Sequence, residues 1–268
     1  MRIYLTSDIE GSCGFTLPEE GSVGTPWYPY FARQMSLEAA SACRGARAAG
    51  AEGVLVHDAH GTGRNIDPNL LPEYAQILRR SGPDPYAMVS GLQHGGYDAL
   101  FLIGFHSWVG SFGNPASHTF NHQTCAMSLN GMPMSEFLYD CYSAASLGVP
   151  TPFISGDANI CRFAESIVPG ITTVSAVTSV GTGSISRNPG VVLREIEEKA
   201  CRALSGDYQK CIPELPRHFQ FRVRFIDHKL ADFNSFYPGI RQVDDCTLEY
   251  ETDNWYDILV MVHFVLDK

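Results

Sequence analysis

Apolar runs and alternations divide the chain into short buried strands separated by helices and loops. Arg2–Thr6 reads as a buried first strand, and Gly53–Val56 as a second. Ala99–Phe105 is unbroken apolar, as expected of a parallel strand covered on both faces. Ala75–Leu78, Thr151–Ser155 and Ile171–Thr178 are further strands. Between them Phe31–Ala49, Glu136–Ala145 (capped by Ser135), Ala158–Ile167 and Val191–Leu204 carry helical patterns. Cys13–Tyr30 and Ser107–Asn121, rich in Gly, Pro and Ser, read as long loops. The first leaves an acidic motif directly and is expected to form a pocket wall or lid. Ser81–Pro85 is expected as a turn and Tyr86–Leu92 as a short helix or turn. Gln123–Met134 reads as a hairpin turning at Asn130-Gly131.

The pattern changes near residue 181. Gly181–Gly190 has the composition of a hinge or boundary. Beyond it Phe219–Phe225 alternates strictly, and Val243–Glu251 behaves similarly, as half-buried antiparallel strands do. Asn254 caps a last helix, Trp255–Leu266, on whose apolar face His263 reads as a packed core residue. The expected fold class is α/β. A mainly parallel sheet flanked by helices occupies residues 1–180, and a smaller α+β part occupies 181–268, where it shapes the pocket or builds an oligomer.

Composition narrows the partners. The 268 residues are 44% apolar and 18% charged, with a formal net charge of −10. That charge argues against nucleic acid or an anionic membrane as the main partner. No apolar run approaches the ~18 residues of a membrane span. The N-terminus enters a strand without a signal-peptide pattern, so a cytoplasmic location is expected. Eight cysteines with no Cys-x-x-Cys form neither a disulfide framework nor a zinc ribbon, and most read as small core residues. No Walker loop is present, and no Gly-x-Gly-x-x-Gly follows the first strand.

Chemistry concentrates at the ends of strands. Asp8 and Glu10 stand two apart where the first strand stops, ahead of Gly11. The second strand runs into His57-Asp58-Ala59-His60, where His60 is the better-placed ligand and Asp58 is suited to orient an imidazole. The third ends at His106. Glu136 opens a helix, and His118 lies on the intervening loop. Three carboxylates and two imidazoles (Asp8, Glu10, Glu136, His60 and His106) suit zinc, with manganese or iron as alternatives. Three carboxylates exceed the need of one divalent ion. Two ions roughly 3.5–4 Å apart, bridged by Asp8, would balance them and activate a water. His118 would then be a general acid/base or an oxyanion stabiliser.

With these motifs the chain resembles the metal-dependent D-aminopeptidase family. The matching stretches are Ser7–Gly11, His57–Gly61, Gly104–His106, Ala116–His118, Asn130–Glu136 and Ser155–Asp157, in the family's order. The resemblance implies a dinuclear zinc aminopeptidase acting on short peptides with N-terminal D-amino acids. It implies metal ligands at Asp8, Glu10, His60, His106 and Glu136, and His118 as the catalytic side chain, in the family a proposed nucleophile. A ring-shaped homo-oligomer is also implied. The sequence departs where the family pattern has a Lys, and later an Arg: here stands Thr178–Gly183. That segment bears on substrate choice, oligomer contacts or activity. The alternatives are a metal-dependent amidase or phosphoesterase of other specificity and a metal-loaded protein without catalysis. No Arg or Lys cluster lies beside the motifs to hold a phosphate.

Overall fold

Strand β1, Arg2–Ser7, lies inside the main sheet, and its burial comes from both faces: Ile3 and Leu5 point one way, Tyr4 and Thr6 the other. The computed structural model describes residues 1–80 and 84–266, so residues 81–83 of the expected turn lie outside the described residues. After β1 the chain forms α1 (Tyr28–Ala48), β2 (Gly53–Asp58), β3 (Ala75–Arg79) and β4 (Ala99–Phe105). Helix α1 begins three residues before the expected Phe31, because Pro29 fits the first turn of a helix, where no amide donor is required. Two short 3-10 turns, Ala87–Val89 and Leu92–His94, stand where a short helix or turn was expected.

A hairpin of β5 (Thr124–Leu129) and β6 (Met132–Pro133) comes next, turning at Asn130 and Gly131, both with positive φ. Helix α2 (Glu136–Ser146), β7 (Phe153–Asp157), α3 (Ala158–Ile167), β8 (Thr172–Val180), β9 (Gly183–Ser186) and α4 (Pro189–Ser205) follow. The chain closes with β10 (Phe219–Phe225), α5 (His228–Asn234), β11 (Arg241–Gln242), β12 (Thr247–Thr252) and α6 (Trp255–Val265).

One seven-stranded sheet has the order β3-β2-β1-β4-β7-β8-β9 and is parallel except for its last pair. Chain direction across the sheet reverses between β1 and β4. That is a topological switch point, where the carboxyl ends of neighbouring strands diverge and leave a crevice. Helices α1 and α4 cover one face. The other face packs on α2, α3, α6 and an antiparallel sheet of order β11-β12-β10-β5-β6 in a single continuous core.

The layers do not divide at residue 180. Gly181 and Thr182 form a tight turn rather than a hinge, so β9 pairs with β8 in the parallel sheet, and α4 returns across that sheet to α1. The second sheet, in turn, takes β5 and β6 from the first half of the chain. Strand β10 needs both neighbours: its alternating buried face is completed by β12 on one side and β5 on the other.

Gly104 brings the crevice together. Its φ is +73°, and a Cβ there would lie 2.2 Å from the Asp8 carbonyl oxygen. Only glycine allows β4 to buckle and let the end of β1 approach, with Gly11 N–H donating to the Gly104 carbonyl at 2.8 Å. Gly104→Ala is therefore expected to destabilise the fold by about 2–4 kcal/mol. Thermal unfolding would read this as a fall in Tm on the order of 10 °C.

Candidate metal centre

Asp8 sits on the switch point, one residue past β1, and is almost wholly buried. Its two carboxylate oxygens face different partners. Oδ1 lies 3.0 Å from His60 Nδ1, and Oδ2 lies 3.4 Å from His106 Nε2. His60 follows β2 and His106 follows β4, so strands on either side of β1 deliver an imidazole to the same carboxylate. Glu10 Oε2 is 3.1 Å from His60 Nδ1. Glu136, the first residue of α2, places Oε2 3.2 Å from His106 Nε2. His118 Nε2 stands 3.8 Å from Glu136 Oε1. The structure thus brings all six expected site residues together as two clusters, Asp8–Glu10–His60 and His106–His118–Glu136. Within each cluster the candidate donor atoms lie within 4.8 Å of one another.

The backbone fixes which ring nitrogen faces inward. His60 Nε2–H donates to the Gly21 carbonyl at 3.0 Å, His106 Nδ1–H to Ser107 at 2.9 Å and His118 Nδ1–H to Ala116 at 3.0 Å. A carbonyl can only accept, so each imidazole is held with its other nitrogen turned toward the carboxylates. This is how metal-ligating histidines are oriented. Glu10 Oε2 and His106 Nε2 are buried and make no hydrogen bond of ordinary geometry. Buried polar atoms seldom go without a partner unless an ion or water belongs there.

Charge in the cluster is strongly coupled. Burial opposes ionisation of Asp8, yet the imidazoles of His106 and His60 outweigh it and hold its carboxyl well below the usual range. Glu136 is lowered against the same opposition, chiefly by His106. Burial also opposes charge on the imidazoles. Glu10 and Asp8 nevertheless raise His60, and Glu136 and Asp8 raise His106, well above the ordinary imidazole value. His122, next to His118, is lowered by burial and then by His118.

Around the cluster lies a cleft of about 290 Å³. Pro18, Gly21 and Ser22 form one wall, so the loop after the acidic motif is the pocket wall its position suggested. Met88, Phe120, Tyr139 and Val262 supply apolar surface. His263 also lines the cleft, half-buried, and is not the packed core residue its helix pattern suggested. The register of α6 turns that position toward the opening. The segment Thr178–Gly183 does not line the cleft. It forms the β8–β9 turn at the sheet edge, and the β9 side of the hairpin reaches the loop after Glu10 through Ser184 and Thr16, whose hydroxyls are 2.5 Å apart.

Two expectations near His60 sort differently. His57 is wholly buried and outside the cluster, with Nδ1 2.7 Å from the Met88 carbonyl and 3.0 Å from Tyr4 Oη. Asp58 does not orient an imidazole. Its carboxylate accepts from the backbone amides of Asn65 and Ile66, which the turn after β2 leaves outside any strand or helix, and from Asn65 Nδ2. Asn65 Nδ2 also donates to the His60 carbonyl at 2.6 Å, so Asp58 steadies His60 through Asn65. Asn114 and Asp157 also position the site. Asn114 Nδ2 donates to the Glu10 carbonyl at 2.9 Å and its Oδ1 accepts from Ala116 N–H, tying the His118 loop to the acidic motif. Asp157 accepts from Ser107 N–H at 2.6 Å and Ser107 Oγ at 2.8 Å, beside His106. The Ser-Gly-Asp stretch pointed to Asp157; no short-range signal marked Asn114.

Comparison with known proteins agrees with this architecture. A family model described as D-aminopeptidase matches residues 1–264. A D-aminopeptidase of Bacillus subtilis (strain 168) is 27% identical over 243 residues, covering 89% of this chain and 86% of the relative. Among solved structures, the Zn-dependent D-aminopeptidase DppA from Bacillus subtilis, a self-compartmentalizing protease, superposes with a TM-score of 0.91 at 21% identity. That alignment covers 100% of this chain and 97% of DppA.

Proposed function

This chain belongs to the D-aminopeptidase family, and from that premise we propose that it is a zinc-dependent aminopeptidase of short peptides with an N-terminal D-amino acid. Asp8, Glu10 and His60 would hold one ion, and Asp8, His106 and Glu136 a second, with Asp8 shared between them. The carrying observation is the set of three imidazoles, each tied by one nitrogen to a backbone carbonyl and aimed with the other at carboxylates. The donor set fits: oxygen and imidazole ligands suit zinc, with manganese or iron as alternatives, and three carboxylates nearly balance two divalent ions. The preference for D-residues rests on the family and the relatives.

Held by these residues, divalent ions would supply Lewis-acid polarisation of a carbonyl and a water of lowered pKa. The chain's own residues do the rest. His118, with Nδ1–H held by Ala116, presents Nε2 to the centre. There it takes a proton from the attacking water and delivers it to the departing amine nitrogen. The apolar side of the cleft, with Met88, Phe120 and Val262, receives a side chain and excludes water from the reacting amide. Among the described residues lining the cleft there is no Lys or Arg, which disfavours the phosphoesterase reading. A homo-oligomer, ring-like as the resemblance implies, is part of this proposal. No helix among the described residues is long and apolar enough to cross a membrane, and the proposed location is cytoplasmic.

The test pairs elemental analysis with hydrolysis of D-alanyl and L-alanyl p-nitroanilides and an aryl phosphate. About two zinc ions per chain and cleavage selective for the D-anilide are expected. Phosphate ester cleavage without amide cleavage would overturn the substrate class. Absence of metal after reloading would overturn the site.

A further inference from the structure

The loop that carries His118 contains a turn that the ligand set does not require. Asn121 N–H donates to the Thr119 carbonyl at 2.8 Å across Phe120, whose φ is +63°. A hydrogen bond between residues two apart around a positive φ is the rare, strained form of γ-turn. A bulky aromatic is an unfavourable residue to hold there. Such strain persists where the surroundings over-determine it, and it clusters at functional sites. Here Phe120 N–H donates to Glu136 Oε1 at 2.6 Å, Thr119 Oγ1 donates to the Met134 carbonyl at 3.0 Å, and Asn121 Nδ2 donates to the Leu266 carbonyl at 2.7 Å.

The turn reverses the chain and lays His122 back over His118. The His118 ring stacks on His106 with centroids 4.2 Å apart and planes 15° apart. His122 covers it at 4.6 Å and 31°. No helix or strand carries His118, and its hydrogen bond to Ala116 fixes one edge of the ring without fixing its tilt. The two flanking rings supply that restraint.

We propose that His122 is a positioning residue: its ring, returned by the Phe120 turn, clamps the His118 imidazole against His106 and keeps Nε2 aimed at the Glu136 side of the centre. The proposal rests on the reading that His118 acts on the substrate. Misaiming a reacting group by about 1 Å costs on the order of 100-fold in rate, so a ring that only packs can still govern turnover.

His122→Ala and His122→Phe in the full-length protein separate packing from chemistry. Rates on D-alanyl p-nitroanilide are measured, together with the rate at which diethyl pyrocarbonate modifies His118 in protein without added metal, mapped by peptide mass spectrometry. The Ala variant is expected to lose roughly 10- to 100-fold in kcat with little change in KM, and to label several times faster at His118. The Phe variant, which restores a ring, is expected to return both readouts to near the parent values. Unchanged labelling in the Ala variant overturns the clamp whatever the rates do. A parent-like kcat in the Ala variant overturns its part in turnover. A Phe variant as impaired as Ala in both readouts also overturns it, because the imidazole rather than the ring would then matter. If the parent hydrolyses no amide at all, the aminopeptidase reading fails, and the labelling ratio still decides the clamp.

Discussion

Asp8→Ala is expected to strip the centre of metal and to lower amide hydrolysis by far more than the ~10–100-fold that loss of an outer partner of a metal ligand typically costs. The reason is its position between the two clusters. One oxygen faces His60 and the other faces His106, so a single truncation removes a donor from both proposed ions. It also leaves two imidazoles, whose proton affinity Asp8 helps to raise, facing only Glu10 and Glu136. Elemental analysis of the purified variant, beside circular dichroism to confirm that it folds, measures the effect. His106→Ala is the graded comparison. It leaves Asp8, Glu10 and His60 intact and should lose metal mainly from the Glu136 side. Full metal content and parent rates in Asp8→Ala would mean that the centre lies elsewhere.

What could be read from the sequence follows the range of the interactions involved. Strand β1 and the Asn130-Gly131 turn were legible because a buried run and a pair of residues tolerant of positive φ act locally. The five carboxylate and imidazole residues of the proposed centre were legible for a related reason. Each stands at the end of an element, and carboxyl ends of parallel strands converge at a switch point whatever else the fold does. The face presented by His263 was not legible. An α6 pattern apolar on most sides, as Leu259, Val260, Val262 and Phe264 make it, does not say which face meets the core and which meets the cleft. The role of Asp58 was not legible either, because the donors it satisfies belong to a turn several residues later. The seam between layers was misplaced because Gly181 suits a tight turn as well as a hinge. Only the pairing of β9 with β8, a tertiary fact, separates the two.

His118→Ala is expected to keep its metal while kcat falls on the order of 10²- to 10⁴-fold, the usual contribution of a positioned acid/base. KM should move little, because the cleft walls that receive the substrate stay in place. The distances support this division of roles. His106 Nε2 lies 3.2 Å from Glu136 and 3.4 Å from Asp8, whereas His118 Nε2 lies 3.8 Å from its nearest carboxylate oxygen. Glu136 Oε1, the oxygen nearer His118, is already engaged by Phe120 N–H at 2.6 Å. Yet His118 belongs to one of the two donor clusters, so a ligand role is the real competitor to a catalytic one. Metal content separates them. Loss of about one ion per chain in His118→Ala would make the histidine a ligand and require another residue to move the proton. Retained metal with depressed kcat, partly restored by added imidazole, would fix His118 as the group that handles it. A third result separates acid/base work from covalent attack. If His118 were a nucleophile, the parent enzyme should show a burst of p-nitroaniline near one equivalent per active site whenever the second step is slow. A linear onset of product, with loss confined to kcat, is what proton transfer through Nε2 predicts.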